Sequence, residues 1–446
     1  MTGVDVRDRP VLRAHLGGAG AWPWDQVVAG LPDGEDVAAL AGSWGDAPVL
    51  AQAPTRTLRD DAVLAMLGGL PLAPRPSHSA RSGWWIGYIG YQMATRVDAG
   101  YRLRPQATPL PHAWAAHYPS VATLGSSGWS LDGVEPTTRD LRSWRAFLDA
   151  CTRRAPRAAC TVGGFRSEVS ADTHVEAVRR ALDHIAAGDI YQANLCLHLE
   201  ARCEGSAAAL YARAEPLLPT PYRALLAGPW GAIASSSPEL FLRHDGERLV
   251  SAPIKGTIRR DGDGSTQPSA LLASAKDRAE NAMIVDLMRN DLGRVAVTGS
   301  VQVDRLFEVE AHPGVWHLVS TVSCQPRSGL TILDALGATF PPGSVTGAPK
   351  IRAMDVIDDL ETTPRAVYTG TIFAIDGTGR LTASVVIRTL EIADGRARLG
   401  VGSGIVADSD PGAEYRECLD KARPIVAALG ASLVADDGRG YPRAAT

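Results

Sequence analysis

The sequence predicts an α/β protein in which strands and helices are mixed along most of the chain. Residues 1–150 show short strand-like segments and turns, rich in Gly, Pro and Trp. A helical period follows residue 170, and it changes to a strand-like alternation at residue 191. The chain continues to mix both patterns to about residue 430. Its 446 residues correspond to about three ordinary domains or to one large α/β unit.

The composition is that of an ordinary globular protein. Hydrophobic residues make up 45% and charged residues 21%, which excludes a disordered chain. The net charge of −4 and the pI near 6.2 provide no basic surface, so neither nucleic acid nor an anionic membrane is an expected partner. The start "MTGVDVRDRP" lacks the apolar core of a signal peptide, and no apolar run is long enough to cross a bilayer. We expect a cytoplasmic protein.

The cysteines give no sign of a zinc site or of a disulfide framework. The six are spread along the chain, at 151, 160, 196, 203, 324 and 418. They include no CxxC pair and have no cluster of histidines beside them. This usage suits a reducing compartment.

The first 164 residues predict packed strands followed by a connector. The stretch "SGWWIGYIGY" (82–91) mixes aromatic residues and glycines as tightly packed strands do, so its aromatics are assigned to the core. The stretch "CTRRAPRAACTVGG" (151–164) is basic and rich in alanine, and it is interpreted as a connector. A boundary between two regions is therefore expected near residues 150–165.

A helix and then a strand are predicted next. Val175, Val178, Leu182 and Ile185 fall at helical spacing, and Gly188 is a suitable stop. From Tyr191 the pattern alternates, so that four side chains share one face of a strand: Gln192, Asn194, Cys196 and His198. This face is the predicted polar wall of a site.

Two acidic helices are candidates for a metal site. The stretch 274–295 is a predicted helix with Glu280 among apolar neighbours. The stretch 409–422 has Asp410 as an N-cap and Pro411 at the first helical position. Glu414 and Glu417 lie three residues apart there, and therefore on one helix face. Magnesium suits such a site because it accepts few protein oxygens; the alternative is that these carboxylates are simply solvated.

Two glycine-containing loops are candidates for binding an anion. The loop in "GSVTGAPKIRAMDVIDDLE" (343–361), with Thr346 and Gly347, leads into a helix whose free N–H groups suit carboxylate or phosphate. Neither loop has a Walker or dinucleotide-binding pattern, and each alone could be just a turn. The second loop, 400–410, offers the backbone amides of Gly402, Ser403 and Gly404. Together they indicate a small polyanionic substrate.

Two basic residues in predicted strands have two interpretations each. Lys255, in "SAPIKGTIRR", is either a surface charge on an apolar stem or an amine held out of water as a nucleophile. Arg388, in "ASVVIRTLEI", is either a bidentate clamp for a carboxylate or a partner in an ion pair. The residue patterns alone leave both questions open.

Eight motifs in order resemble the chorismate-utilising enzyme family over roughly residues 165–425: "GDIYQANL", "SSPELFL", "PIKGT", "KDRAENAMIVDLMRNDLGRV", "HLVSTV", "FPPGSVTGAPK", "YTG" and "GSGIVADSDPGAEY". The resemblance implies a large α/β (α+β) fold, a sandwich of two antiparallel sheets with outer helices and the site between them. It also implies an N-terminal region over residues 1–150 and a chorismate-binding catalytic domain over 165–428. A loose polar tail is expected over 430–446.

Two positions indicate the branch of that family. The water-using members have a lysine where Gln192 stands here, and glutamine cannot take a proton from water. Anthranilate synthases read PIAGT, whereas aminodeoxychorismate synthases read PIKGT, as this chain does with Lys255. The resemblance therefore implies conversion of chorismate and ammonia to 4-amino-4-deoxychorismate through a covalent lysine adduct. The alternative is the anthranilate synthase component I reaction.

The resemblance also implies roles for the motif residues. Glu239 corresponds to the general acid, and His317 to a histidine that lines the site. Glu280 and Glu417 correspond to the ligands of Mg²⁺, with Glu414 nearby. The predicted substrate-binding set is Arg388, Tyr368, Thr346, Gly347, Gly402, Ser403, Gly404 and Lys421.

The source of ammonia is expected to be a second protein. None of the six cysteines has the glycine-rich surroundings of a glutaminase nucleophile, so we expect a heterodimer with a separate glutamine amidotransferase subunit. No lyase region follows the last motif, so forming 4-aminobenzoate, for folate or for aminated natural products, would need another enzyme. The remaining rivals are a lysine Schiff-base lyase and a non-catalytic chorismate-binding subunit.

Two positions depart from expectation. Phe373 stands where amine-forming members of the family usually have a glycine, and it is expected to reshape the pocket or the sheet. Pro424 is expected to kink or shorten the last helix, because an interior proline costs about 3 kcal/mol.

Overall fold

The computed structural model describes residues 14–72, 83–133, 137–157, 159–260 and 268–435. These residues form two large sheets, of 13 and 10 strands, in which the named strands pair antiparallel and helices cover the outer faces. The predicted α/β fold of two packed antiparallel sheets is confirmed.

The strands are β1 Ala14–Gly17, β2 Val37–Gly42, β3 Val49–Gln52, β4 Arg56–Arg59, β5 Trp84–Ile89, β6 Ala113–Tyr118, β7 Ser120–Gly125, β8 Gly128–Gly133, β9 Cys160–Val162, β10 Arg166–Ser167, β11 Gln192–Gly205, β12 Tyr222–Gly228, β13 Gly231–Ser237, β14 Leu240–His244, β15 Leu249–Ala252, β16 Ile254–Arg259, β17 Gln302–His312, β18 Val315–Cys324, β19 Gly347–Ala348, β20 Thr371–Ile375, β21 Leu381–Val385, β22 Thr389–Ala393 and β23 Arg396–Ile405.

The α-helices are α1 Trp24–Ala29, α2 Asp61–Gly68, α3 Ala94–Val97, α4 Thr138–Arg154, α5 Ala171–Ala186, α6 Ala207–Ala214, α7 Ser269–Ala273, α8 Ala275–Gly293, α9 Ile332–Thr339, α10 Lys350–Leu360 and α11 Pro411–Ala428. No helix in the described ranges combines the length and the apolar character needed to cross a membrane.

Both sheets contain strands from the two predicted regions. The first sheet runs β1-β8-β7-β3-β2-β12-β13-β22-β23-β11-β10, with β9 and β19 also paired to β11. The second runs β16-β18-β15-β14-β21-β20-β5-β6-β4, with β17 paired to β18. Strand β2 pairs with β12 and β5 pairs with β20, so each sheet combines strands from both sides of the expected boundary. The boundary near residues 150–165 is therefore a change in sequence pattern that does not separate the sheets.

Hydrophobic layers hold the sheets and helices together. One layer lies between the sheets and includes Leu40, Tyr88, Trp114 and Ile233. Other layers fill the space between each sheet and its outer helices. Phe373 is almost fully buried in the layer beneath α2, α8 and α9, so its ring enlarges that core. Phe373 therefore affects the second sheet by packing against the helices on its outer face.

The helices expected around the motifs are confirmed. The helix α5 has Ser170 as its N-cap and Gly188 just after its end, and α8 and α11 begin after the capping side chains of Ser274 and Asp410. The expected shortening at Pro424 is wrong, because α11 continues to Ala428. Burial of its apolar face against the first sheet offsets the cost of the proline.

The connector and the tail are more ordered than expected. The helix α4 extends to Arg154, and β9 forms from Cys160, so much of the predicted connector is regular structure. Val434 donates a backbone hydrogen bond to Phe165 at 2.8 Å, which attaches the chain after residue 430 to the domain. The rest of the expected tail, residues 436–446, lies outside the described residues.

Candidate active site

The site lies where an amine from the second sheet reaches the first. Lys255 belongs to β16, and its Nζ lies 3.6 Å from the point that a Cβ atom on Gly404 of β23 would occupy. The Nε2 atom of Gln192, on β11, lies 2.5 Å from the same point. The structure therefore brings Lys255 and Gln192 together over one glycine between the sheets.

The glycine-rich segment around residue 402 is a strand. The strand β23 includes Gly402, Ser403 and Gly404, and it pairs with Asn194 and Cys196 of β11. The prediction of an anion-binding loop over residues 400–410 is wrong for residues 400–405. Pairing across the sheet fixes this segment in extended form despite its glycines.

The glycines of β23 make room for side chains between the sheets. A Cβ atom on Gly400 would lie 2.3 Å from Cγ of Tyr368, and one on Gly402 would lie 2.9 Å from both Asn194 Nδ2 and Tyr368 Oη. Because alternate residues share a face, Gly400, Gly402 and Gly404 form one bare platform. Ser403, between two of them, points to the opposite face.

The amine of Lys255 has an unusual electrostatic environment. Burial lowers the pKa of Lys255, while Glu280, Glu239 and Glu417 favour the charged form and Lys421 opposes it. In the described part of the chain no side chain or carbonyl accepts a hydrogen bond from this amine. The arrangement favours a neutral amine compared with an ordinary surface lysine.

Glu239, the predicted general acid, lies near enough to Lys255 for the charges of the two groups to interact. It lies between β13 and β14 and is 4% exposed. Burial raises the pKa of Glu239 to about 7, although a hydrogen bond from Ser344 and the charge of Lys255 act in the opposite direction. A substantial fraction of Glu239 is protonated at neutral pH, as a general acid requires.

Arg388 lies within electrostatic reach of both Glu239 and His317. Burial lowers the pKa of Arg388, and the nearby Glu239 opposes this shift. His317, on β18, is 1% exposed, and its Nδ1 shares a hydrogen bond of 2.8 Å with the Thr257 hydroxyl. Burial, followed by the charges of Arg388 and His312, lowers the pKa of His317 to about 3. His317 is therefore neutral at physiological pH.

The two acidic helices bring Glu280 and Glu417 within electrostatic reach of each other. Burial raises the pKa of Glu280, with Lys255 and Lys276 opposing and Glu417 adding to the rise. Burial also acts to raise the pKa of Glu417, but lysines led by Lys421 outweigh it and lower that pKa. Lys421 donates to Glu417 at 2.7 Å and to the carbonyl of Gly402 at 2.9 Å.

Of the three predicted metal ligands, Glu280 and Glu417 lie within electrostatic reach of each other. Among the described residues, no group of three His, Cys, Asp or Glu side chains is arranged to hold a metal. Glu414 is buried and accepts a hydrogen bond of 2.6 Å from Ser409, and its role as a metal ligand stays a prediction. Glu280 and Glu417 still fit Mg²⁺, which commonly keeps waters and substrate oxygens in its other positions.

The loop before α10 supports the strand that carries Gln192. The carbonyl of Thr346 accepts from the Asn194 N–H at 2.7 Å, and a Cβ atom on Gly347 would lie 2.2 Å from the Gln192 carbonyl. Ser344 hydrogen-bonds to Glu239. The structure thus places Thr346 and Gly347 in backbone contacts beside the site, and their binding to substrate stays a prediction.

Asn194, which the sequence places on the predicted polar wall, and three residues without a predicted role lie near the predicted site residues. Asn194 is buried, and its Nδ2 has no hydrogen-bond partner among the described residues. The alternation of β11 places it on the Gln192 face, which is a signal that the sequence does contain. Ser344 and Thr257 lie in the quoted family motifs and Glu391 does not, and the contacts of all three depend on partners distant in sequence.

Comparisons with known proteins agree with this geometry. The sequence pattern of the family described as chorismate binding enzyme matches residues 47–427. Aminodeoxychorismate synthase component 1 of Escherichia coli is 37% identical over 361 residues, covering 80% of this chain and 79% of that protein. Anthranilate synthase component 1 of Thermus thermophilus is 37% identical over 370 residues, covering 80% of each.

Solved structures with this fold are also known. Anthranilate synthase component I from Streptococcus pneumoniae superposes with a TM-score of 0.73 at 28% identity, covering 84% of this chain and 91% of that one. The menaquinone-specific isochorismate synthase from Escherichia coli has a TM-score of 0.73 at 18% identity, covering 92% of each chain, and it supports the fold alone.

Proposed function

Because the chain belongs to the chorismate binding enzyme family, we propose that it converts chorismate and ammonia to 4-amino-4-deoxychorismate. The observation that carries this proposal is Lys255, an amine with a lowered pKa between the sheets, near a carboxyl group whose pKa is about 7. Relatives named for both amine-forming reactions match equally well, so Lys255 rather than the names favours this reaction.

The first step of the proposed reaction forms a bond between Lys255 and the substrate. The neutral Nζ attacks C2 of chorismate, the two ring double bonds shift, and the bond from C4 to its hydroxyl breaks. Glu239 gives its proton to the departing hydroxyl, which leaves as water, and can then take a proton from the lysine nitrogen. Covalent catalysis of this kind divides one difficult displacement into two easier steps.

The second step replaces the lysine with ammonia. Ammonia attacks C4, the double bonds shift back, and the bond from C2 to Nζ breaks. The nitrogen from ammonia loses a proton and the departing Lys255 nitrogen gains one, so the net reaction is chorismate plus ammonia to product plus water. The amide of Gln192 cannot act as a base toward water, which favours ammonia as the attacking group.

The substrate is held by its carboxylates. Arg388 and Tyr368 are proposed to bind them, with Asn194 as a further donor over Gly402. Glu280 and Glu417 would hold Mg²⁺, which when bound would neutralise the ring carboxylate. His317, fixed through Thr257, presents a neutral imidazole to the same space.

We propose a separate glutamine amidotransferase subunit as the source of ammonia, since several relatives are named as component 1 of their enzymes. The cysteines of this chain do not suit that role: all six are buried, and burial raises the pKa of Cys196. The product would be a precursor of 4-aminobenzoate, released by another enzyme, in a cytoplasmic pathway to folate or to an aminated metabolite.

Product analysis tests the proposal. The chain is incubated with chorismate, ammonium chloride and MgCl₂, and the products are separated by liquid chromatography and mass spectrometry. We expect 4-amino-4-deoxychorismate without pyruvate, and a loss of at least about 10³-fold in rate for Lys255→Ala, because the nucleophile is removed. The control Arg179→Ala, at an exposed basic residue of α5 that pairs with Glu176, is expected to keep the activity within about threefold.

The second candidate is anthranilate formation with release of pyruvate. It is favoured by the structural likeness to the Streptococcus pneumoniae enzyme. Fluorescent anthranilate appearing together with pyruvate would establish this candidate. An undiminished rate for Lys255→Ala would contradict the covalent route.

A further inference from the structure

We propose that Glu391 is a positioning residue for Tyr368, acting through the turn at residues 366–369. The inference rests on the proposed function, in which Tyr368 binds a substrate carboxylate. Glu391 lies on β22 and accepts hydrogen bonds from the backbone of the turn.

The turn that carries Tyr368 has an unfavourable backbone conformation. Ala366 and Thr369 have φ angles of 55° and 62°, in the left-handed region that residues other than glycine rarely adopt. Such conformations persist only where surrounding contacts impose them. The contacts of this turn therefore decide where Tyr368 points.

Glu391 makes two of these contacts. Its Oε1 accepts hydrogen bonds from the backbone N–H of Val367 at 3.0 Å and of Tyr368 at 3.2 Å. The N–H of Tyr368 is shared with the carbonyl of Arg365, at 3.0 Å. A single carboxylate oxygen thus connects β22 to the middle of the turn.

The position of Tyr368 is sensitive to small movements of this turn. Its ring lies against the bare backbone of Gly400, and its hydroxyl lies over Gly402 beside Asn194. A ring in such close contact has no space to correct a shifted backbone. Loss of the two hydrogen bonds should therefore displace the hydroxyl.

Glu391 is not explained by an ion pair. It is 6% exposed, and its Oε2 has no partner in the part of the chain that the structure describes. Arg398, directly across on β23, instead directs two of its nitrogens to Glu168, and its Nη1 is also without a partner within those residues. Burying an unsatisfied polar atom is costly, so the contribution of Glu391 lies in its two backbone contacts.

A double-mutant cycle on chorismate binding tests this inference. Calorimetry in the presence of Mg²⁺ compares the parent chain with Glu391→Leu, Glu391→Gln, Tyr368→Phe and the Glu391→Leu/Tyr368→Phe double variant. We expect Glu391→Leu to weaken binding about tenfold and Glu391→Gln, which keeps an acceptor oxygen, less than about threefold. The double variant should bind no more weakly than Tyr368→Phe alone, because Glu391 acts through Tyr368.

A control and a ligand-free measurement complete the test. Glu215→Leu removes another buried carboxylate, bonded to Arg223 and Trp24, and its effect should be independent of Tyr368→Phe. In chain with ¹³C-labelled tyrosine, the NMR signal of Tyr368 should move in Glu391→Leu and stay in place in Glu391→Gln. Additive effects in the cycle, or a signal that does not move in Glu391→Leu, would overturn the inference. If the parent chain binds no chorismate, the proposed function fails, and the tyrosine signal alone decides the role of Glu391.

Discussion

Two lysines in this protein are removed from bulk water to different degrees, Lys350 buried and Lys255 half-buried, and they differ in what surrounds the amine. Lys350, the first residue of α10, is 6% exposed and donates to the carboxylate of Asp291 on α8 and to the carbonyl of Thr339 at 2.7 Å. Lys255 has no such hydrogen bonds among the described residues, and burial lowers its pKa. A partnered lysine joins two helices as a charge, whereas an unpartnered lysine is available as a nucleophile.

The scarcity of lysine makes this contrast clearer. Only four of the 45 Lys and Arg residues are lysines, at positions 255, 276, 350 and 421. Lys276 and Lys421 accompany the carboxylates of Glu280 and Glu417, at 3.9 Å and 2.7 Å. Arginine stays charged in proteins, so only a lysine can supply a neutral amine at position 255.

The largest expected difference between Lys350 and Lys255 is in how much each contributes to the free energy of unfolding. Lys350→Met leaves Asp291 buried without its partner, so we expect the free energy of unfolding to fall by about 3–5 kcal/mol. Lys255→Met removes an amine that has no partner and should lower stability by less than about 1 kcal/mol. Urea denaturation of both variants measures the difference. The double variant Lys350→Met/Asp291→Leu should recover part of the loss, and an equal loss in both single variants would contradict the contrast.

A smaller effect is expected where Lys255 meets the first sheet. In Gly404→Ala the new Cβ atom would lie 2.5 Å from Nε2 of Gln192, so the Gln192 side chain must move from its present position near Lys255. We expect kcat/KM for chorismate to fall about 10- to 100-fold, because small misplacements at a reacting centre are costly. In the control Gly293→Ala the added atom has no neighbour within 4 Å. Equal kcat/KM values for Gly404→Ala and Gly293→Ala would contradict the placement of Gly404 in the active site.

The pH dependence of kcat/KM tests whether Lys255, unlike Lys350, acts as a neutral amine. The proposed active form carries one proton shared between Glu239 and Lys255, so kcat/KM should decline tenfold per pH unit on each side of a maximum. One limb is expected near pH 7, at the pKa of Glu239, and the other at the lowered pKa of Lys255. Initial rates over pH 5.5–9.5 measure both limbs. A profile that is flat between pH 6 and pH 8 would be incompatible with a Glu239 pKa of about 7.

Local patterns predicted the elements that carry most of the site. Helical spacing, caps and alternation located α5, α8, α10, α11 and the inward face of β11. The two-sheet architecture came from the family resemblance, because pairings such as that of β2 with β12 join segments almost 200 residues apart and leave no local signal.

The wrong prediction of a loop at residues 400–405 has a clear physical cause. The segment "GVGSG" (400–404) has the composition of a loop, but pairing with β11 makes it a strand whose glycines accommodate Tyr368 and Gln192. Here a tertiary contact overrides a local pattern.

The most direct test of the central claim is the titration of Lys255 itself. Chain containing lysine labelled with ¹³C at Cε should give four NMR signals, of which the one absent from Lys255→Met belongs to this residue. We expect that signal to titrate below the ordinary lysine pKa of about 10.4. Titration of Lys255 at or above the ordinary value would show that its amine is held in the charged form, and would contradict its role as the nucleophile.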